Sequence, residues 1–428
     1  MVWTDSLKSI KIGLAREETA GTAETAPTEY VYTTSESVLN PNMTQDTLRA
    51  MGSRGITFTV DKPYHVTGAI PSWAFPEDNG FGLMLYGAFG AAAAAKHGSA
   101  SYMHTFTVVD TQIPSFTVWC KTSVYETKTS NCQVNKISIT NKKASVLDYS
   151  ADIVGSQLVT ATDFGTATYV SGSTKVFRAG GARVFWDDVL SVNVDDVSFN
   201  IDNGIDPEEA KSLGTVFANH ILAGNRSITG DMTIFVESTT ELIDYWGSAS
   251  GPTLNKDPIK LAMEWSSASI DTATATVGTP VKVAGNGTPT LAASGTYTGT
   301  STHSLFEIKI TTAAATDKMM WRKNGGAWSS ATDLTAAAQT LEDGVTVTFS
   351  AKTGNMVQDR WFFYAGNIPY MFMVYMPTAK ITNFQQGASG NRLTAKVSFT
   401  AEIDGSTGVG YDAKAFLMNT ESTAYNTT

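Results

Sequence analysis

The feature that most constrains the fold is a stretch that occurs twice. Residues 66–87 read VTGAIPSWAFPEDNGFGLMLYG, and residues 228–247 read ITGDMTIFVESTTELIDYWG. Each begins with a β-branched residue and Thr-Gly, continues through a strand-like apolar run to a polar break, and ends in a short apolar helix closed by Gly. Hydrophobic periodicity is the main sequence signal of secondary structure. The repetition therefore predicts two copies of one strand–helix unit in a single chain.

Similarity between the two halves continues downstream in the same order. Residues 134–156 resemble residues 378–406, with Ile137 matched to Ile381. An apolar segment before each block is also similar, although its alternation is one residue out of phase between the copies. Matched blocks in the same order favour an internal duplication over an unduplicated all-β chain with look-alike strands.

Alternating apolar and polar residues recur along the chain, as in VNVDDVSF at 192–199 and LTAKVSFTAEI at 393–403. Alternation with a period of two is typical of half-buried strands. Helical signals are confined to two segments, one entered at residues 77–79 and the other through a capping-box pattern at residues 238–241. The predicted fold is mostly β, with two tandem β-sandwich or barrel units that each carry a short helix.

The second copy differs from the first by an insertion. Two matching strands are about a dozen residues apart in the first copy, around residues 123–130, but roughly 100 apart in the second. The added segment has short strands separated by Gly, Ser, Thr and Asn turns, as in a β-sandwich. A hairpin can carry such a domain because the ends of a domain usually lie close together. The predicted domains are an N-terminal arm (1–30), a first unit (31–160), a discontinuous second unit (161–266 and 367–428) and an inserted domain (267–366).

The charge balance limits the classes of partner. The net charge is −10, and residues 277–366 carry +1, so the repeated units and their arms hold an excess of −11. This argues against a grip on nucleic acid through phosphate neutralisation. The first residues contain no secretory h-region, and the apolar run at 80–95 is shorter than the ~20 residues of a membrane-spanning helix. We expect neither a secretion signal nor a membrane partner.

No pattern for catalysis or metal binding is found in the sequence. The five histidines lack metal-ligand spacing, and phosphate-binding or nucleophile-elbow motifs are absent. Cys120 and Cys132 do not make a disulfide framework, and two buried thiols are favoured over a bond between paired strands. Trp321 and Trp328 fit either a sugar-stacking pair or ordinary core packing. We expect no enzyme activity, cofactor or metal.

Three blocks resemble the tail tube (major tail) proteins of long-tailed bacteriophages. They are IGLAREETAGTAETAP at 12–27, the block at 66–87, and DDVSFNIDNGIDPEEAKSLGTVFANHILAGNRSITGDM at 195–232. LEDGVTVTFSAKTG at 341–354, followed by DRWFF, resembles the immunoglobulin-like modules of phage virion proteins. The resemblance implies a virion protein assembled in the host cytoplasm, whose subunits join edge to edge into rings around a DNA channel. It also implies that an extended loop stacks the rings.

The resemblance gives the duplication a purpose. Tail rings commonly have six units, so a chain with two fused units would close a pseudo-sixfold ring as a homotrimer. Residues 204–222 match the stacking loop in placement and in mixed composition. The candidate stacking side chains in it are Asp206, Glu208, Glu209, Lys211, Leu213, Val216 and Phe217.

The implied partners follow from that role. They are further copies of the chain, tail tip or baseplate proteins, tail terminator proteins, and DNA that passes through an acidic lumen without specific binding. The inserted domain would project outward and either decorate the tube or bind host surface glycans, and a tube subunit should assemble without it. The alternative is a carbohydrate- or receptor-binding virion fibre, in which Trp321 and Trp328 would matter most.

Overall fold

Half of the chain is in strands and 5% is in helices, which confirms a mostly β fold. The computed structural model describes residues 10–35, 39–52, 54–77, 79–169, 175–191, 193–254, 256–273, 276–403 and 410–427. The elements of the first half, in chain order, are β1 (Lys11–Arg16), β2 (Glu29–Val31), β3 (Asn40–Asn42), β4 (Gln45–Leu48), β5 (Phe58–Asp61), β6 (His65–Trp73), α1 (Asn79–Phe89), β7 (Gly90–Lys96), β8 (Tyr102–Val108), β9 (Phe116–Lys121), β10 (Glu126–Asn141), β11 (Leu147–Gly155) and β12 (Leu158–Thr160).

The second half opens with a 3-10 turn at Ala179–Gly181 and contains the insertion. Its elements up to the insertion are β13 (Ala182–Trp186), β14 (Val189–Ser191), β15 (Val194–Asp202), β16 (Ser227–Phe235), α2 (Thr240–Trp246) and β17 (Ile259–Ser269). The inserted strands are β18 (Val281–Ala284), β19 (Leu291–Gly295), β20 (His303–Thr312), β21 (Lys318–Lys323), β22 (Thr332–Asp333), β23 (Gln339–Thr340), β24 (Val345–Phe349) and β25 (Arg360–Gly366). The chain then returns through β26 (Pro369–Ser389), β27 (Arg392–Ala401) and β28 (Lys414–Asn419).

One pairing scheme occurs in both halves. In the first, β3-β6-β11 and the C-terminal part of β10 form an inner sheet, while β2-β1-β9 and the N-terminal part of β10 form an outer sheet. The second half repeats this arrangement with β15-β16-β27-β26 inside and β14-β13-β17-β26 outside. The strands β1 and β2, which the sequence assigned to an N-terminal arm, thus belong to the first outer sheet.

The registers show which residues are equivalent. Gly68 lies opposite Ile153, and Gly230 lies opposite Phe399, so the two Thr-Gly strands correspond as the sequence indicated. Both long strands, however, carry a bulge, after Val134 in β10 and after Ile381 in β26. Ile381 is therefore equivalent to Val134, and the sequence match of Ile137 with Ile381 was three residues out of register. The bulges themselves lie at equivalent positions, so the wrong match arose from a Lys-Ile pair that occurs at different positions in the two strands.

The two inner sheets join into one. The C-terminal part of β10 pairs with β11 on one side and with β15 on the other. The resulting order is β3-β6-β11-β10-β15-β16-β27-β26, and we call this the long sheet. The apolar side chains on its core-facing side pack with α1 and the outer sheet in the main core, where Phe81, Phe116 and Phe372 are fully buried.

The inserted strands form two further layers. β18-β25-β20-β21-β22 make one sheet and β19-β24-β23 another, with an apolar core between them. The first of these sheets packs on the outer face of β17, β26 and β28. Pairing of β17 with β26 continues to Ser269 opposite Pro369, slightly beyond the domain limits that the sequence suggested.

The helix termini differ in detail from the predicted caps. Gly90 and Gly247 follow α1 and α2 with positive φ angles of 96° and 80°, the conformation in which Gly is preferred. At α2 the two reciprocal backbone bonds of a capping box are not seen; the Ser238 hydroxyl instead accepts from the Thr240 N–H at 3.3 Å and donates to Glu241 at 3.0 Å. Glu77 does not cap α1 but accepts a hydrogen bond from Tyr370, and Asp78 lies outside the described residues.

The two cysteines are buried thiols on neighbouring strands. Cys120 on β9 lies opposite Thr127, whereas Cys132 on β10 lies opposite Phe116, so the ladder does not place the two sulfurs across from each other. Burial raises the pKa of Cys120 to about 11 and that of Cys132 well above its usual value. Both thiols therefore stay protonated and unreactive at neutral pH.

Candidate assembly and channel surfaces

The outward face of the long sheet is polar over most of its width, with Trp73 of β6 and Phe235 of β16 as apolar exceptions. Side chains alternate between the core and this face, as expected for a sheet with one side exposed. Its uncharged members are mostly Ser, Thr and Asn, for example Ser138, Ser150 and Asn200. Its charged members on the described strands are five carboxylates and four basic side chains: Asp148, Asp152, Asp196, Asp202, Asp231, Lys136, Lys380, Arg392 and Lys396. Carboxylates outnumber basic side chains, so the face is weakly acidic.

The carboxylates of this face lie close enough to affect one another. Partial burial raises the pKa of Asp152; Lys136 opposes the shift and Asp202 adds to it. Asp231 accepts a hydrogen bond from Ser398 at 2.6 Å and lies 3.7 Å from the ammonium group of Lys396. The acidic groups are thus held within the sheet by its own lysines and hydroxyls.

The long sheet ends in two edges. One edge is β3, whose Asn40 and Asn42 are exposed. The other is the C-terminal part of β26, where Asn383 and Gln385 are exposed and no strand pairs on the side away from β27 among the described residues. Exposed sheet edges present unpaired backbone groups that can add a further strand.

The internal junction shows how two such edges fit. At the junction of β10 and β15, Ile137 lies opposite Ile201 and Ser138 lies opposite Asn200. In the repeated pairing scheme, β3 of the first half corresponds to β15 of the second half. The C-terminal part of β26 in the second half corresponds to the C-terminal part of β10 in the first half. The two outer edges of the chain are therefore the same kind of edges that join inside it.

Two long connections emerge at one end of the long sheet, which we call the loop end. They are residues 43–64, between β3 and β6, and residues 203–226, between β15 and β16. The opposite end carries the turns at residues 142–146 and 390–391, and we call it the turn end.

The 203–226 loop folds back over the first half. Tyr64 donates its N–H to the Val216 carbonyl at 3.0 Å, and Ala218 donates to the Tyr64 carbonyl at 2.8 Å. The Ile221 carbonyl accepts from the side chain of Gln133 at 3.1 Å. Ile205 joins a small buried cluster that also contains Ile113 and Val154 of the first half.

The seven side chains predicted for stacking lie in two environments. Phe217 contacts the Tyr64 ring at a centroid distance of 6.3 Å, and Lys211 bridges to Glu208 at 2.8 Å. Glu208 also lies 3.5 Å from the buried His65 imidazole, whose pKa is lowered by burial and by Lys211. The exposed members are Asp206, Glu208, Glu209, Leu213 and Val216, of which Glu208 is held by Lys211.

Sequence reasoning missed the hairpin of β4 and β5 inside the 43–64 connection. Leu48 lies opposite Phe58 and Asp46 opposite Val60, so one face of the hairpin is largely apolar. All eight residues of the two strands are exposed, with Phe58 at 56% and Val60 at 47%. The alternating segment ITFTV at 56–60 was the available signal.

The two tryptophans of the insert do not form one platform. Trp321 packs toward the insert core, 6.3 Å from Phe306. Its neighbour Arg322 points to the opposite face of β21, where the Trp328 ring lies 4.5 Å from the Arg322 guanidinium and 4.0 Å from Lys309. The Trp328 ring thus already makes cation–π contacts with basic side chains of its own domain.

Buried ion pairs attach the insert to the outer sheet. Arg360 of β25 pairs with Asp188, in the turn between β13 and β14, and with Glu307 at 2.6 Å. Burial opposes ionisation of Asp188, but Arg360 and Lys260 hold its pKa below the usual value. Tyr364 of β25 also donates to the buried Glu264 of β17. The insert is therefore packed on the outer sheet and is not a loosely tethered domain.

The described residues contain no group of three or more His, Cys, Asp or Glu side chains that could hold a metal ion. Neither helix in the described ranges is long and apolar enough to span a membrane.

No individual curated protein matches the chain significantly. A family model described as phage tail tube protein matches residues 8–301, more than two thirds of the chain. The chain therefore belongs to the family of phage tail tube proteins, which are structural components of the virion and not enzymes.

Proposed function

We propose that three copies of this chain close a ring in which the end of β26 in one copy pairs with β3 of the next. The observation that carries the proposal is the internal junction of β10 and β15, which already joins two inner sheets edge to edge. Applying its register to the outer edges places Gln385 of one copy opposite Asn40 of the next, and Phe384 opposite Pro41.

The number of copies follows from the internal repeat. Each chain would contribute two tube units, one formed by the first half and one by the second half without the insert. Six units are usual in the tail rings of phage tail tube proteins, so three chains would close a ring with pseudo-sixfold symmetry. Fusing two units makes half of the unit contacts intramolecular and lowers the entropy lost on association.

The polar face of the long sheet would then line the channel, because the insert covers the opposite side of the body. Its excess of carboxylates over basic side chains supports a lumen that repels DNA weakly and lets it slide. The exposed Glu209, Leu213 and Val216 of the 203–226 loop would contact the next ring, the tail tip or the tail terminator. The immunoglobulin-like insert would lie on the outside of the tube, either as a decoration or as a domain that binds host surface glycans.

A charge-repulsion pair tests the edge pairing. Asn40→Glu with Gln385→Glu should raise the protein concentration needed for half assembly by roughly tenfold or more, because like charges directly opposite destabilise paired strands. Asn40→Lys with Gln385→Glu should restore assembly. Ser150→Glu with Thr229→Glu adds the same charge to the same face away from the edges and serves as the control.

Assembly is measured by native mass spectrometry and negative-stain microscopy. Equal assembly of the repelling pair, the complementary pair and the control would overturn the proposed edge. Selective failure of the repelling pair, with rescue by the complementary one, would support it.

A further inference from the structure

We propose that the β4–β5 hairpin of one copy docks over the loop end of the second half of the neighbouring copy. Inside the chain, the 203–226 loop covers the loop end of the first half in this manner. The 43–64 connection is its equivalent, only two residues shorter. This inference rests on the proposed ring, which would bring the hairpin next to that end.

The covered loop end shows what such docking does. Beneath the 203–226 loop, Gln133, Val154 and Ser156 are buried. The Ser156 hydroxyl donates to the Ala218 carbonyl, and the Gln133 amide donates to the Ile221 carbonyl at 3.1 Å. The loop thus seals the end of the sandwich with backbone hydrogen bonds and an apolar contact.

The equivalent end of the second half is left open by the described residues. The registers make Lys380, Thr400 and Glu402 the counterparts of Gln133, Val154 and Ser156, and all three are only partly buried. A cleft of about 450 Å³ adjoins this end at Ile403 and Asp412, and its remaining lining comes from residues 109–113 and from the 203–226 loop. Ile403 is 55% exposed. No described segment of the chain covers this end as the loop covers the other.

The hairpin has the properties of a segment that awaits a partner. Leu48, Phe58 and Val60 share one exposed face, and the opposite face carries Thr47 and Thr59. An isolated two-stranded hairpin is marginally stable in water. Clustered exposed apolar side chains mark interaction surfaces. A second copy is the occupant that the internal repeat specifies, since its open end has the backbone geometry of the end already covered.

Cross-linking in assembled tubes tests the docking directly. Tubes are grown from a mixture of isotope-labelled and unlabelled chains, so that links between copies are distinguished by mass. Lys62 at the base of the hairpin is equivalent to Gly224, close to the Ile221–Gln133 contact. We expect Lys62 to link to Lys380 of another copy. Links only to Lys142 or Lys143 at the turn end would show that the hairpin stacks rings, and would overturn the proposal.

A pair of variants gives a second readout. Phe58→Asp should raise the concentration for half assembly of rings by about tenfold or more, because it removes the burial of a large apolar side chain. Thr59→Asp, on the polar face of the same hairpin, should leave it unchanged. Intact rings that fail only to stack with Phe58→Asp would overturn the docking while leaving the ring standing.

The ring and the docking fail in different ways. Wild-type protein that forms no ring under any assembly condition would overturn both proposals. Rings without any link between Lys62 and another copy would overturn the docking alone.

Discussion

At the scale of single residues, the glycine of the second Thr-Gly is explained by close packing between strands. A Cβ atom added at Gly230 would lie 2.3 Å from the Ser198 carbonyl oxygen and 2.3 Å from the Phe399 ring. The backbone oxygen belongs to the neighbouring strand and cannot move without breaking the ladder. A glycine in a strand interior marks a close approach of this kind.

Gly230→Ala should therefore destabilise the subunit by about 1–3 kcal/mol, the usual cost of overpacking a core. Gly180→Ala is the matched control, because nothing lies within 4 Å of its added Cβ. Thermal unfolding of both variants measures the difference. Equal melting temperatures for the two would contradict the packing explanation.

A buried histidine makes stability depend on pH. His97 is 2% exposed, and burial lowers its pKa to about 4, against the influence of Asp271. A group with a lowered folded pKa contributes fully above its unfolded value near 6.5, and this contribution is lost as the pH falls toward 4. The loss amounts to at most ~3 kcal/mol.

His97→Gln should flatten that part of the pH–stability profile, since glutamine does not titrate. The exposed His220→Gln serves as the control and should leave the slope unchanged. Chemical denaturation between pH 4 and pH 7 gives the slopes. An unchanged slope in the His97 variant would show that other groups cause the acid loss.

At the scale of elements, the sequence predicted what local patterns encode. Period-two alternation indicated the strands, and a short helix ending at Gly247 followed the second Thr-Gly strand as expected. The match of Ile137 with Ile381 was three residues out of register, because a shared Lys-Ile pair occurs at different positions in the two long strands. The junction of β10 and β15 was not predictable, since edge pairing uses backbone groups that every residue has. The pair of Asp188 with Arg360, 172 positions apart, left no local signal either.

The docking of the insert changes what its removal should do. Replacing residues 270–367 by a short turn would expose an apolar face that includes Met371, Met373 and Phe416. We expect this deletion to aggregate, because large exposed apolar patches promote association. Replacing those three side chains with Thr or Ser in the deleted chain should restore solubility. A deletion that stays soluble without them would contradict the buried interface; light scattering distinguishes the outcomes.

At the scale of the whole molecule, the chain is layered from the mostly polar face of the long sheet to the insert. The long sheet, the main core, the outer sheet and the two insert sheets follow one another in that order. This layering is consistent with a tail tube subunit, because it leaves the acidic face of the long sheet uncovered by the insert. In the proposed ring, the two edges and the loop end would be the surfaces for assembly.

The most direct test of the ring is cryo-electron microscopy of tubes assembled from the purified protein. We expect threefold rings, with six similar inner sheets joined around the lumen and three inserted domains projecting outward per ring. The strand beside the end of β26 should be β3 of the neighbouring copy, with Gln385 facing Asn40. Rings of six chains, or a lumen not lined by the long sheet, would contradict the proposed ring.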